Sequence, residues 1–324
     1  MFKFSFNIEV DSDNPFNDKN KEEEKRPVGN ASNDNEQTDE PAEWYKAERV
    51  EISADILDNL DVYKLNATTL NVGNTTIQHV VTGFLLEHIT CNSAENKDIT
   101  KAEQTHSDLL PAVYEGGAKI WECTDDLLQY LAKNFDSQSW YDKRILDLGC
   151  GAGLLGIYVY RYGAVVHFQD YNKDVLTQIT IPNVLLNVEN STKTTSCTES
   201  ASTEAEEVET LNIGALKDKV QFYAGDWCEY TKLAAKDAYK FDYILTSETI
   251  YNPKNQQKLL DTFYSKLSTN GVVLVAAKTY YFGVGGGMRQ FEQLINIDKR
   301  FQYKVLWTST DGVGREILEL KLKK

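Results

Sequence analysis

Five near-continuous apolar runs of strand length follow one another in the second half of the chain: RILDLGCG, AVVHFQDYN, VQFYAGDW, FDYILTSET and VVLVAAKTYYF. Runs without polar alternation belong to strands covered on both faces, and the helical or polar stretches between them supply the crossovers. They predict five parallel strands. The chain continues with YKVLWTST and EILELKLKK around Asp311-Gly312-Val313-Gly314, a hairpin signal at the end of a parallel sheet. The expected fold class is α/β, a seven-stranded doubly wound sheet with a terminal antiparallel hairpin. Ahead of the first run, YEGGAKIWECTDDLLQYLAKNF spaces Ile120, Leu127, Leu128 and Leu131 along one side of an amphipathic helix.

The first third of the chain has a different texture. Residues 1–43 are expected to form a disordered acidic segment, since Asp, Glu, Asn and Lys leave too little apolar surface to offset ordering entropy. At its start Phe2, Phe4, Phe6 and Ile8 alternate with polar residues, as in a short strand, a docking motif or a frayed terminus. Residues 44–110 carry short apolar stretches such as VVTGFLLEHI and read as an arm packing on the core, with the main domain over 111–324. Within it, the Ser/Thr/Glu-rich stretch 189–210 interrupts the crossover between the second and third expected strands as a mobile, solvated insertion.

Charge sharpens this division. Of the formal −15, residues 1–110 hold 22 acids against 10 bases and 189–210 hold 6 against 1, leaving 21 against 23 in the remainder. A near-neutral core argues against nucleic acid as a direct partner. No run of about 18 apolar residues is present to cross a bilayer, and the N-terminus has no basic region followed by an apolar one, so an intracellular, non-membrane protein is expected. Five cysteines and four histidines are scattered singly, which predicts reduced thiols and no structural metal.

The strongest chemical signal is the strand-to-glycine turn Ile145-Leu146-Asp147-Leu148-Gly149-Cys150-Gly151-Ala152-Gly153, followed by a helical stretch. Glycines clear the way for a ligand to reach backbone, and the helix start offers free N–H groups. Gly151, Gly153 and Gly156 also satisfy GxGxxG, so a dinucleotide and S-adenosylmethionine compete as the ligand. Asp147 suits the ammonium end of a methionine moiety and would repel a pyrophosphate, although a turn cap is its plainer role. Gly225-Asp226-Trp227, after the third strand, offers an acid for an adenine amino group beside an aromatic ring that is otherwise core. Asp170, ending the second strand, suits ribose hydroxyls in either cofactor class. Glu248 and Tyr251 end the fourth strand, at the carboxyl edge where such sheets bind ligands, unless Glu248 is a surface cap. The Asn/Asp-Pro-Pro-Tyr/Phe signature of amino-group nucleic-acid methyltransferases is absent there. The stretch from Lys278 to Gly287 is either a clamp for a planar substrate or a loop flanked by core aromatics.

Taken together, YEGGAKIWECTDDLLQYL, LDLGCGAGLLGIYVYRYGA, VHFQDYNKDVL, ILTSETIYNP and AAKTYYFGVGGG resemble the eukaryotic histidine protein methyltransferases over about residues 106–324. The resemblance implies a class I S-adenosylmethionine-dependent fold. It implies methyl transfer to a histidine of a ribosomal large-subunit protein, in cytoplasm and nucleus. It also implies that Ile120, Trp121, Glu122, Cys123 and Thr124 close over the cofactor. By the same resemblance Gln169, Asp170, Tyr171, Gly225, Asp226, Trp227 and Ser247 are expected to complete the contacts, and the loop at Gly149 and Gly151, read above from its glycines, is expected to cradle the cofactor.

For a histidine acceptor, an unprotonated ring nitrogen is already abundant at neutral pH, because the solution pKa is about 6.5. Catalysis then rests on positioning. Glu248 is expected to accept a hydrogen bond from the other ring nitrogen, with Tyr251 and Tyr280 flanking the ring. A protein-lysine methyltransferase, a catalytically silent cofactor-binding adaptor and a dehydrogenase are the competing readings. Nothing in the sequence demands a dimer, and a monomer is expected.

Overall fold

The computed structural model describes residues 44–81, 84, 97–110, 112–188, 190–192, 209–211, 213–233 and 239–324. The expectations for 1–43, and for the insertion apart from its two ends, lie outside the described residues. Twelve strands are described. β1 (Glu48–Val50), the pair β2 (Ala67–Val72) and β3 (Thr75–Val80), β4 (Arg144–Leu148) and β5 (Val165–Asp170) come first. They are followed by the short pair β6 (Asn190–Thr192) and β7 (Glu209–Leu211), then β8 (Val220–Ala224) and β9 (Phe241–Ser247). β10 (Leu267–Lys278), β11 (Phe301–Thr308) and β12 (Arg315–Leu322) close the chain.

The main sheet runs β1-β8-β5-β4-β9-β10-β12-β11. β8, β5, β4, β9 and β10 are parallel, and β12 and β11 return antiparallel. These are the seven strands expected from the hydrophobic runs, and the fold is the class I S-adenosylmethionine-dependent methyltransferase fold. An eighth strand joins them: β1, from the arm, pairs antiparallel with β8, with Val50 opposite Phe222. Its three residues carry no alternation long enough to read.

Alternation along each strand sends successive side chains to two separate cores. Ile145, Val166, Phe168, Leu245 and Leu274 face a layer that includes the helices Glu122–Asn134 and Leu154–Tyr160. Leu146, Ile244, Val273 and Val275 face the helices Pro253–Lys266 and Met288–Asp298. The sheet is thus covered on both faces, which explains the unbroken apolar runs. The β2–β3 hairpin joins the first core through Val72, Ile77 and Val80.

Helix Glu122–Asn134 begins later than the apolar spacing suggests. Trp121 is its extended N-cap and acids Glu122 and Asp125 occupy the first turn, favourable against the helix dipole. Leu127, Leu128 and Leu131 are fully buried, whereas Ile120 precedes the helix and is 37% exposed. The helical reading of Ile120 is therefore corrected. It belongs to the segment that lines the cleft described next.

Candidate active site

The carboxyl ends of β4, β5, β8 and β9 open onto a cleft of about 860 Å³. Its floor is the glycine turn. The backbone of Gly151 has φ +49°, and a Cβ there would stand 3.0 Å from Gly117 O, so only glycine leaves the loop and its neighbour in contact. The Gly151 N–H donates to Asp170 Oδ2 (2.8 Å), and the Asn172 N–H donates to Asp170 Oδ1 (3.2 Å). Burial pushes Asp170 up to about 6, against the pull of the Gly151, Asn172 and Tyr171 N–H groups. Behind the turn a π-helical step, Leu176–Thr180, aims Thr180 Oγ1 at Gly151 O (2.6 Å) and holds the loop from below.

At the β8 end, Gly225, Asp226 and Trp227 line the same cleft. Gln169 organises this corner: its Nε2 donates to Gly225 O (2.7 Å) and Asp170 O (3.0 Å), while its Oε1 accepts from Trp227 Nε1 (3.0 Å). Asp226 Oδ2 accepts from Lys258 Nζ (2.9 Å). At the β9 end, Ser247 Oγ lies 2.8 Å from Thr124 Oγ1, joining the strand to the helix that follows Trp121.

A second cavity, about 450 Å³, meets the cleft, and Glu115, Trp121, Glu248 and Tyr251 line both. Glu248 is buried with φ +58°, a left-handed conformation that costs a non-glycine residue of order 1 kcal/mol. Its carboxylate is held by the Cys123 N–H at Oε1 (3.3 Å) and by the Tyr281 hydroxyl at Oε2. Glu115 mirrors it: Oε1 accepts from the Ala112 N–H (3.0 Å) and Oε2 from the Tyr251 hydroxyl. Burial raises Glu115 above the usual carboxylate range, with the Tyr251 and Ala112 hydrogen bonds opposing. Burial also drives Tyr251 and Tyr281 well above the usual phenol range, and each adjacent carboxylate adds to the shift. The phenols therefore stay protonated as donors. The Tyr251 and Tyr281 rings meet edge to face at 6.3 Å.

Ile120, Trp121, Thr124, Gly149, Gly151, Asp170, Tyr171, Gly225, Asp226, Trp227, Ser247, Glu248 and Tyr251 all line this one cleft. The remaining candidates stand outside its lining. Asp147 is 1% exposed and its Oδ2 accepts from the Gly156 N–H (2.8 Å), inside the turn. Burial pushes it up to about 8. Gln169 and Cys123 act from behind, as described, and the exposed Glu122 pairs with the buried Lys278 (3.0 Å), which lines the second cavity. Tyr280 is 49% exposed and meets Phe282 edge on (5.1 Å), on a separate surface groove with Gly285 and Arg289. Its neighbour Tyr281 takes the inward position. Glu115, Gly117, Trp44 and Tyr281 were given no individual role: Glu115 and Gly117 stood unassigned within YEGGAK, and Tyr281 within the Lys278–Gly287 stretch read as a clamp or a loop.

Among the described residues no helix is long and apolar enough to cross a membrane, and no group of three His, Cys, Asp or Glu side chains is placed to hold a metal ion. A family model described as "Lysine methyltransferase" matches residues 111–282, more than half of the chain. The mouse "Histidine protein methyltransferase 1 homolog" is 41% identical over 228 residues, 69% of this chain and 62% of the mouse protein. The chain thus spans about three fifths of that relative's length. The fission yeast "Histidine protein methyltransferase 1" is 32% identical over 243 residues, 70% of this chain and 71% of that protein. A cattle protein-lysine methyltransferase is 25% identical over 183 residues, 56% and 54% of the two chains. A domain model covering more than half of the chain, and a relative of which it covers over two thirds, make it a member of the histidine protein methyltransferase family.

Proposed function

We propose that this chain is an S-adenosylmethionine-dependent protein-histidine N-methyltransferase acting on a ribosomal large-subunit protein in cytoplasm and nucleus. The observation that carries the reading is the junction of two cavities at Glu115, Trp121, Glu248 and Tyr251. The larger suits the cofactor. Side-chain-free backbone at Gly149 and Gly151, a carboxylate at Asp170, and an acid with an indole at Asp226 and Trp227 are the donors and acceptors that an adenosine and a methionine moiety require. When bound, S-adenosylmethionine supplies an electrophilic methyl carbon on a sulfonium, open to attack by a neutral ring nitrogen. The smaller cavity, walled by Trp121, Tyr251 and Tyr281, suits a planar side chain entering from a protein substrate.

Within that cavity the buried Glu248 and half-buried Glu115 carboxylates offset the positive charge the acceptor ring gains. Glu248 is the carboxylate assigned to the ring N–H, because the Cys123 N–H and Tyr281 hydroxyl that donate to it and its left-handed backbone leave it no freedom to turn away. A lysine acceptor, the reading favoured by the description of the family model, fits this pocket less well. Two carboxylates against the single Lys278 ammonium leave the cavity acidic and stabilise an ammonium ion, the form that does not react, whereas an imidazole enters neutral. Glu248→Gln is expected to lower kcat at least about 100-fold, the scale of a lost transition-state hydrogen bond, with cofactor affinity within twofold. Mass spectrometry of the product locates the methyl group: on a histidine the reading stands, on a lysine it falls. Unchanged kcat in the Gln variant would remove Glu248 from its role.

A further inference from the structure

A cleft-lining residue lies outside the region matched by the family model, in the arm. Trp44 lines the cleft beside Tyr171, Gly225, Asp226 and Trp227. It is fixed from two directions. Lys258 Nζ stands 3.4 Å over the centre of its ring, and the same ammonium is 2.9 Å from Asp226 Oδ2. The Tyr171 ring meets Trp44 edge on at 5.9 Å and is stacked by Tyr45 at 4.9 Å, only 6° from parallel.

The backbone on either side is tied to the same turn. The Asp226 N–H donates to Tyr45 O (2.9 Å), and β1 continues the attachment along β8, with Glu48 opposite Ala224. Gly225, at φ +109°, explains why the turn carries a glycine: a Cβ there would stand 2.6 Å from both Lys46 O and Ala47 Cα. That glycine makes room for the arm. Polar anchors complete the seat, from the Tyr45 hydroxyl to Asp98 Oδ1 (3.0 Å) and from Lys173 Nζ to Glu48 Oε2 (3.1 Å).

We infer that residues 44–50 form a strap across the adenosine end of the cleft, with Trp44 as its contact to the cofactor, so that strap docking and cofactor binding strengthen each other. The inference rests on the cofactor reading above. Of the strand β1 only Val50 is buried, and the anchors are mostly exposed ion pairs and hydrogen bonds, each worth little alone. A strap held through such contacts gains further stability from whatever fills the cleft beneath it. By linkage, the cofactor binds more tightly by the same factor.

The test uses the full chain and S-adenosylhomocysteine, the product form of the cofactor, in isothermal titration and hydrogen exchange. Trp44→Ala is expected to raise Kd about tenfold, the loss of one aromatic contact of roughly 1.4 kcal/mol, and Trp44→Phe to recover part of it. Amides of residues 45–50 are expected to gain protection in the wild type on adding the ligand, and not in Trp44→Ala. Thermal unfolding of the ligand-free variant, expected to match the wild type, separates loss of contact from loss of fold. Unchanged Kd in Trp44→Ala together with unchanged protection of 45–50 would overturn the strap and leave the cofactor reading intact. Failure of the wild type to bind S-adenosylhomocysteine would overturn both.

Discussion

Buried titratable side chains set how this molecule responds to pH, and His167 shows it most directly. It lies on β5 with its ring stacked on Tyr239 at 4.7 Å and edge on to Phe241 at 5.1 Å. Burial, with smaller contributions from Arg49 and Lys266, lowers it to about 3. A group whose folded value is depressed contributes stability that is present above its unfolded pKa of about 6.5 and is lost as pH falls toward the folded value. His167→Phe removes that contribution. Urea unfolding at pH 7.5, 6.5, 5.5 and 4.5 is expected to show the variant gaining on the wild type by up to about 1.4 kcal/mol per pH unit below 6.5. A constant difference across the series would show that His167 does not titrate in this way. Asp147 and Asp170, raised to about 8 and about 6 by burial, act with the opposite sign in both proteins and cancel in the comparison. At this scale Asp170, Trp227 and Glu248 were legible because they sit at strand ends, where a doubly wound sheet binds its ligands. Tyr280 and Tyr281 were not separable, because the loop after β10 leaves the strand's alternation and its own bonds, such as Tyr281 N–H to Gly286 O (2.9 Å), decide which ring turns in.

Between elements, two asparagines one helical turn apart fasten the arm to the domain. On helix Ile181–Leu186, Asn183 Oδ1 accepts from the Val80 N–H (2.9 Å) while its Nδ2 donates to Ala152 O (2.9 Å) beside the glycine turn. Just beyond the helix, Asn187 exchanges hydrogen bonds with the Gln78 N–H (3.0 Å) and C=O (2.7 Å). A side-chain amide thus stands in for a neighbouring strand on the free edge of β3, which would otherwise present unpaired backbone. Asn183→Ala leaves a buried N–H and a buried C=O without that partner, at a cost of about 1–3 kcal/mol. Chemical denaturation is expected to report that loss; a change below about 0.5 kcal/mol would mean that water replaces the amide. The elements themselves follow from local pattern, since apolar runs and glycine turns marked each strand of the parallel core. The short β1 did not, because three residues form a strand only when β8 is already there to pair with.

For the whole molecule, the arm and the domain share one core. Tyr63, Val72, Ile77, Val80 and Ile99 are buried in the same layer as Val184 and Leu185. A chain beginning at residue 111, where the family model begins, would strip that layer and uncover the β8 edge. Each exposed aliphatic or aromatic side chain costs about 1.5–3 kcal/mol of burial, against a domain stability of roughly 5–15 kcal/mol. Such a chain is expected to be insoluble or aggregated in gel filtration; a soluble monomer with a Tm within about 3 °C of the full chain would show that the arm is dispensable. The sequence by itself determined the apolar run of every main strand, the glycine turn, the acids at the strand ends and the break in composition near residue 110, because these are local properties of side-chain spacing and backbone freedom. Tertiary structure alone decided that Glu115 meets Tyr251, that Trp44 lies under Lys258 and that the arm supplies an eighth strand. Those pairings join residues far apart in the chain, and only the packing of one layer against another brings them into reach.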